Sequence, residues 1–425
     1  MSLATLPPDQ LRSFVQEQRA AHQRLVEAGL SLDITRGKPA AAQLDLSDAL
    51  LTLPGDRYRD AAGTDTRNYG GQLGNPELRA IFAEALGVPV DQIVAGDNSS
   101  LSIMHDLVVF SLLKGTVGSP RPWSHEEEVA FLCPVPGYDR HFAICEQYGI
   151  TMRPVPMHED GPDLDAVREQ VQDPAVKGIW IVPTHANPTG AIVSDEVAQA
   201  LASMETAAPD FRIIWDNAYA VHHLSEERIP SADILGMCAA AGHPDRVFCL
   251  ASTSKITFAG AGVSFFAASP DNLAWYLGLA GKRTIGPDKV NQLRHALFLQ
   301  DVDGLYALMD RHREILAPKF AIVQEVLTER LGGHDVARWT EPRGGYFVSL
   351  DVPDGTASRV VALAQEAGIA LTPAGAAYPY GRDPHDRTIR IAPSFPPQDE
   401  LRAAMEALTT CVLLAAGERQ LEQSA

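Results

Sequence analysis

The chain has 425 residues, 45% of them apolar and 21% charged, with a net charge of −19. That length is too great for one simple core and points to two domains, and the acidity argues against a nucleic-acid partner, which needs a basic face. Five scattered cysteines with no CxxC pair argue against a disulfide framework or zinc site, no apolar run is long enough to span a bilayer, and no signal-like apolar core opens the chain, so a reduced cytoplasmic setting is expected.

In chain order, the apolar positions Leu11, Phe14, Val15, Leu25 and Val26 share a face and predict a helix over residues 9–28, stopped by Gly29. An extended segment, LDITRGKP, follows. From about residue 69 to 268, short β-rich runs (QIVAG, VAFLCP, GIWIVP, RIIWD, VFCLAS, GVSFFAA) alternate with helical or loop stretches. Continuous apolar runs without period-2 alternation suit strands covered on both faces, as in an α/β fold with a mostly parallel sheet. A large domain is therefore expected over residues 51–300, with functional residues just past the C-terminal ends of its strands. A long helix near residues 302–331 comes next, then GGYFVSLD, a helix near 357–367, IALTP, TIRIAPSF and a final helix from Pro397. With residues 1–50, the stretch 301–425 predicts a smaller α+β domain.

Three polar segments end apolar strands. IWIVP leads to Asn187 in NPTG, RIIWD ends in Asp216 with Tyr219 three residues on, and VFCLAS leads to Ser252, Ser254 and Lys255. Each has a plain reading: a turn, a helix cap, a surface lysine. Their shared placement makes three coincidences less economical than one site. A lysine in a partly desolvated, hydroxyl-lined pocket has its amine form favoured and can form a Schiff base. An aspartate at a neighbouring strand end suits a protonated pyridine nitrogen, and Asn187 and Tyr219 can hydrogen-bond a phenolic oxygen. Ser252 and Ser254 can surround a phosphate together with GDNSS, whose Asn98, Ser99 and Ser100 precede the helix LSIMHDLVVFSLL, because a helix N-terminus favours anions. The set describes a pocket for pyridoxal 5'-phosphate.

With these residues the sequence resembles the fold-type I pyridoxal-phosphate enzymes, and among them the class I/II aminotransferases, from ITRGKP to TIRIAPSF. The resemblance implies a homodimer in which Tyr69, in NYGGQLGNPELR, reaches the cofactor phosphate of the neighbouring subunit. It places Tyr138, in PVPGYDRH, against the cofactor ring, Gly37 over the substrate carboxylate, and Arg390, in IRIAPSF, as the carboxylate-binding guanidinium. A structural ion pair is the plain reading of Arg390 or its neighbour Arg387. Lys255 would carry the cofactor, with Asp216 and Tyr219 as its catalytic partners, and amino acid and 2-oxo acid would react in ping-pong fashion. One departure stands out: ITFAGAGVSFF lacks the arginine that most members carry shortly after the lysine to pair with the phosphate. This form is similar to a divergent aspartate aminotransferase subgroup, which suggests aspartate and 2-oxoglutarate as substrates. Lys282 and Arg283 could then meet a distal carboxylate, or be solvated loop charges.

Other readings stay open within the same fold. A lyase or decarboxylase would use the same three residues, and a MocR-like effector-sensing domain would use the same pocket without catalysis. A Rossmann dehydrogenase is disfavoured because no GxGxxG opens a helix after a strand. Adjacent His222 and His223 point in different directions without a carboxylate at ligand spacing, so no metal is expected.

Overall fold

The computed structural model describes residues 3–424. Its main sheet has eight strands, in the order Ile93–Ala95, Ser264–Ala267, Val247–Ser252, Arg212–Asp216, Val176–Ile181, Ala130–Val135, Thr151–His158 and Gly161–Pro162. The run from Val247–Ser252 to Thr151–His158 is parallel throughout. Successive residues of one strand enter opposite cores. Ile213 and Trp215 face a cluster with Leu78 and Phe82 of helix Pro76–Leu86, Leu201 of Asp195–Ser203 and Leu235 of Ile234–Ala240. Ile214 faces a second cluster with Met104 and Leu107 of helix Ser100–Lys114, Phe142 of Asp139–Gln147 and Leu273 of Pro270–Arg283. Burial on both faces is why these strands read as unbroken apolar runs.

Two strands differ from the sequence reading. Ser264–Ala267 runs antiparallel to both neighbours, because the stretch after Ser252 is too short to carry a crossover helix. Thr151–His158 carries Pro154 and Pro156 and alternates in burial, so neither a buried run nor an uninterrupted strand is visible in it.

A further core gathers residues from both ends of the chain, including Val15, Ile34, Phe320, Val348, Ile391 and Leu408. It fills the space between the antiparallel sheet Arg338–Trp339, Val348–Asp351 and Thr388–Ile391 and the helices Val302–Leu331, Ala357–Glu366 and Gln398–Gln423. The first helix, Pro8–Ala28, ends at Gly29 in the left-handed conformation, φ 62°, which glycine adopts without steric cost.

The starts of the two central strands are tied by a buried ion pair. Lys177 Nζ lies 2.8 Å from Asp210 Oδ1, and Ser119 Oγ and Trp123 Nε1 each donate to Asp210 Oδ2 at 2.8 Å. Burial raises the Asp210 pKa, but the hydrogen bonds from Lys177 and Ser119 outweigh it and hold the carboxyl below its ordinary value. Asp210→Ala leaves the buried Lys177 ammonium with only its longer 3.4 Å contact to Glu126 and should cost about 3 kcal/mol in urea unfolding. A carboxyl with a depressed folded pKa stabilises above its unfolded pKa and stops doing so as pH falls through the folded value. The gap between the native protein and the variant should therefore be full at neutral pH and shrink on acidification.

Candidate active site

Four neighbouring parallel strands deliver the polar residues. The segments following Val247–Ser252, Arg212–Asp216, Val176–Ile181 and Ala130–Val135 carry, in sheet order, Lys255, the Asp216–Tyr219 turn, Asn187 and Tyr138. They meet at a cavity of about 190 Å³ lined by Ser99, Ser100, Tyr138, Asn187, Asp216, Tyr219, Ser252, Ser254 and Lys255, with Leu101, Met104, Val182 and Ala218 as its apolar walls. Ser99 caps the helix Ser100–Lys114, so that helix's free N–H groups open toward the hydroxyl-lined end. Ser252 Oγ donates to Ser254 Oγ at 3.2 Å.

Burial sets the charges. It pushes the Lys255 pKa down, with the Asp216 carboxylate only partly opposing it, so the uncharged amine is favoured. The Lys255 amine lies 5.0 Å from the centre of the Tyr219 ring. Burial, then the neighbouring Tyr138 and Asp216, pushes the Tyr219 phenol up; burial and Asp216 do the same to Tyr138. Both therefore keep their protons and can donate. Asp216 is 2% exposed. Its Oδ2 accepts from His141 Nε2 at 3.0 Å, and its Oδ1, also buried, has no hydrogen-bond partner.

His141 was not singled out from the sequence, although it stands one helical turn after Tyr138 and so shares its face. Its ring stacks on Trp180, with centroids 4.4 Å apart and planes 9° apart. That contact fixes the imidazole that holds Asp216. Also missed was a buried relay behind the lysine. His312 Nε2 donates to the Ile256 carbonyl at 2.9 Å, leaving Nδ1 to accept from Gln43 Nε2 at 2.9 Å. Gln43 also donates to the Tyr346 hydroxyl at 2.9 Å, which donates to the Lys255 carbonyl at 3.4 Å. Burial drives the His312 pKa down to about 4, so this relay stays neutral. Nothing in local sequence connects positions 43, 255, 312 and 346.

Four expected site residues lie outside this cavity. Arg390 is one bond away, its Nη1 donating to Asn187 Oδ1 at 3.4 Å, and it also pairs with Asp139. Gly37 sits so close to Phe347 that a Cβ would fall 2.4 Å from the ring, and the Arg390 guanidinium lies 5.0 Å from the centre of that ring. Asn98 faces a separate cavity of about 380 Å³ with Gly262, Arg283 and Arg294. Tyr69 is 83% exposed. Of the two cations considered for a distal carboxylate, Arg283 is engaged by Asp97 and Asp106 at 2.8 and 2.9 Å, and Lys282 is exposed. Lys255 is the only cation lining the lysine cavity.

The family model described as aspartate amino-transferase matches residues 6–424. A putative aminotransferase of Mycolicibacterium smegmatis is 59% identical over 99% of each chain. The crystal structure of an aspartate transaminase from Corynebacterium glutamicum superposes with a TM-score of 0.98 at 54% identity, covering 99% of each chain. The α-aminoadipate aminotransferase of Thermus thermophilus, complexed with N-(5'-phosphopyridoxyl)-L-leucine, shares the fold with a TM-score of 0.74, at 22% identity over 95% of this chain and 96% of that one. With a lysine, a carboxylate and a phenol converging at adjacent strand ends and a match over nearly its whole length, the chain belongs to the aspartate amino-transferase family and is an aminotransferase.

Proposed function

We propose that the protein is a pyridoxal 5'-phosphate-dependent transaminase whose donor and acceptor are dicarboxylic, aspartate and 2-oxoglutarate, using one site in turn. The observation that carries this reading is the unpartnered buried Oδ1 of Asp216 across from a lysine whose amine form is favoured. An orphaned carboxylate oxygen is costly, and a pyridine N–H supplies the donor it lacks. Asp216, oriented by His141, would hold the ring nitrogen. Tyr219 and Asn187 would donate to the phenolic oxygen, and Tyr138 would lie against the ring. Ser99, Ser100, Ser252 and Ser254 would surround the phosphate, which suits a stretch after Lys255 that has no arginine. When bound, the cofactor supplies an electron-accepting ring that makes the substrate Cα–H acidic. Lys255, uncharged, takes the proton from substrate Cα as general base. Arg390 binds the α-carboxylate through its planar fork, steadied by the Phe347 ring that Gly37 allows to approach. The name of the Corynebacterium relative supports the choice of aspartate.

The same reading makes the protein a cytoplasmic homodimer, with Asn98 beside the phosphate site and Tyr69 entering the partner's site. Lys289, 6% exposed, donates its ammonium to the Asn68 and Gly70 carbonyls at 2.7 and 2.5 Å. A buried cation is thus committed to holding the backbone on either side of an exposed tyrosine. Ile285, 58% exposed, lines the same surface hollow as Tyr69, as expected of a face that another copy covers. Within each subunit we assign residues 51–300 to a large domain and 1–50 with 301–425 to a small one.

The purified protein should show a visible band that borohydride bleaches, and Lys255→Ala should lose the band and at least about 10³-fold in activity while keeping its circular dichroism. A folded variant with undiminished transamination would refute the assignment. Ammonia release without an oxo-acid acceptor would indicate a lyase instead. Lys255→Ala and Tyr69→Ala subunits, each nearly inactive alone, should regain about a quarter of native activity when mixed, because each hybrid dimer has one complete site. No recovery in a mixture shown to exchange subunits would place Tyr69 within its own site or outside catalysis.

A further inference from the structure

Arg390 already holds a carboxylate of its own chain. Its Nη1 donates to Asp139 Oδ1 at 3.1 Å, with the arginine side chain 10% exposed and the aspartate's 37%. The other contacts are long: Nη1 to Asn187 Oδ1 and Nη2 to Thr372 Oγ1, both at 3.4 Å. Arg390 Nε is buried with no partner. The fork is therefore unsaturated, since Asp139 makes one hydrogen bond where a freely placed carboxylate can make two. Asp139 is the first residue of helix Asp139–Gln147, directly after Tyr138, which lines the lysine cavity. The short side chain of Asp139 is more than one-third exposed, so it is free to turn toward solvent.

We propose that Asp139 is a tethered competitor that occupies Arg390 between turnovers, sets the affinity of the site for carboxylates, and must be displaced by the substrate carboxylate. The inference rests on the reading of Arg390 as the substrate anchor. A bidentate newcomer outcompetes a monodentate, partly solvated ion pair, so binding proceeds, but with part of its free energy offset. Uniform weakening of this kind raises KM without acting on the chemical step. In a site that must release one acid before admitting another, it also speeds exchange, because every amino acid and oxo acid that enters or leaves carries the same carboxylate.

The test is a calorimetric titration of the holoenzyme with maleate, a dicarboxylate with no amino group to react. Asp139→Asn should lower the maleate Kd about two- to fivefold, the scale of a partly exposed ion pair, and the KM for aspartate should fall in the same proportion. A merely structural aspartate cannot give this result, since damage to the site weakens binding. A Kd unchanged or raised in Asp139→Asn overturns the proposal and makes Asp139 an orienting partner of Arg390. Asp139→Ser, which keeps an oxygen at the helix start, carries the same comparison if the asparagine variant fails to fold. Arg390→Ala separates the two levels of the argument. If it binds maleate as the native enzyme does, the anchor reading itself fails. If it loses maleate while Asp139→Asn gains nothing, the competitor alone is refuted.

Discussion

Asp216 ends one strand and Lys255 lies just past the end of its parallel neighbour, with Asp216 opposite Leu250 in the register, and burial acts on both. It penalises both charges. The carboxylate accepts a hydrogen bond from His141 on one oxygen. The lysine, which has only the weaker attraction of that same carboxylate, is shifted toward the amine. A hydrogen-bonded carboxylate beside a lysine shifted toward its amine form is the pairing that the proposed proton transfer at a substrate carbon would use. His141 is held in turn by Trp180, which lies on the next strand of the sheet. Three adjacent strands therefore cooperate to hold one carboxylate in place.

The surroundings reinforce this by contributing polarity without charge. Burial holds the His222 imidazole far below its ordinary pKa and takes His185 to about 3. Buried polar atoms without partners gather on the same loops, among them Thr184 Oγ1, both ring nitrogens of His185 and of His223, and Asn217 Oδ1. Native interiors rarely tolerate such groups, and their concentration past the strand ends sets this edge of the sheet apart. The opposite edge is the contrast: there Asp210 receives hydrogen bonds from Lys177, Ser119 and Trp123. One edge is built for stability and the other for chemistry.

Legibility followed the range of the interactions. The central strands and the helix Val302–Leu331 were readable because burial on two faces, or a sustained helical period, is written locally. Lys255, Asp216 and Asn187 were readable for the same reason, since each follows its strand within a few residues. Thr151–His158 was not, because its prolines and half-exposed positions mimic a loop. The Gln43, His312 and Tyr346 relay was invisible because its members come together only when both ends of the chain meet the lysine turn. Asp139 reads locally as a helix-start carboxylate, which is the ordinary reason to find one there. Its pairing with Arg390 spans 251 positions.

Those long-range links determine where the site stands in the molecule. Gln43 comes from the N-terminal segment, and His312, Tyr346 and Arg390 from the C-terminal part; the last three touch residues at the sheet's strand ends, and Gln43 reaches them through His312 and Tyr346. A small apolar cluster joins Val182 and Tyr219 to Leu316, Tyr346, Phe347 and Ala392 across the same seam. Arg390 and the Tyr346 hydroxyl that reaches the Lys255 carbonyl thus come from the C-terminal part, while Asn187 and the lysine turn follow strands of the main sheet. Any shift of one core against the other moves Arg390 relative to Asn187 and pulls on the Lys255 turn through Tyr346 at the same moment. In the proposed mechanism substrate grip and base position would therefore be linked through these contacts across the seam.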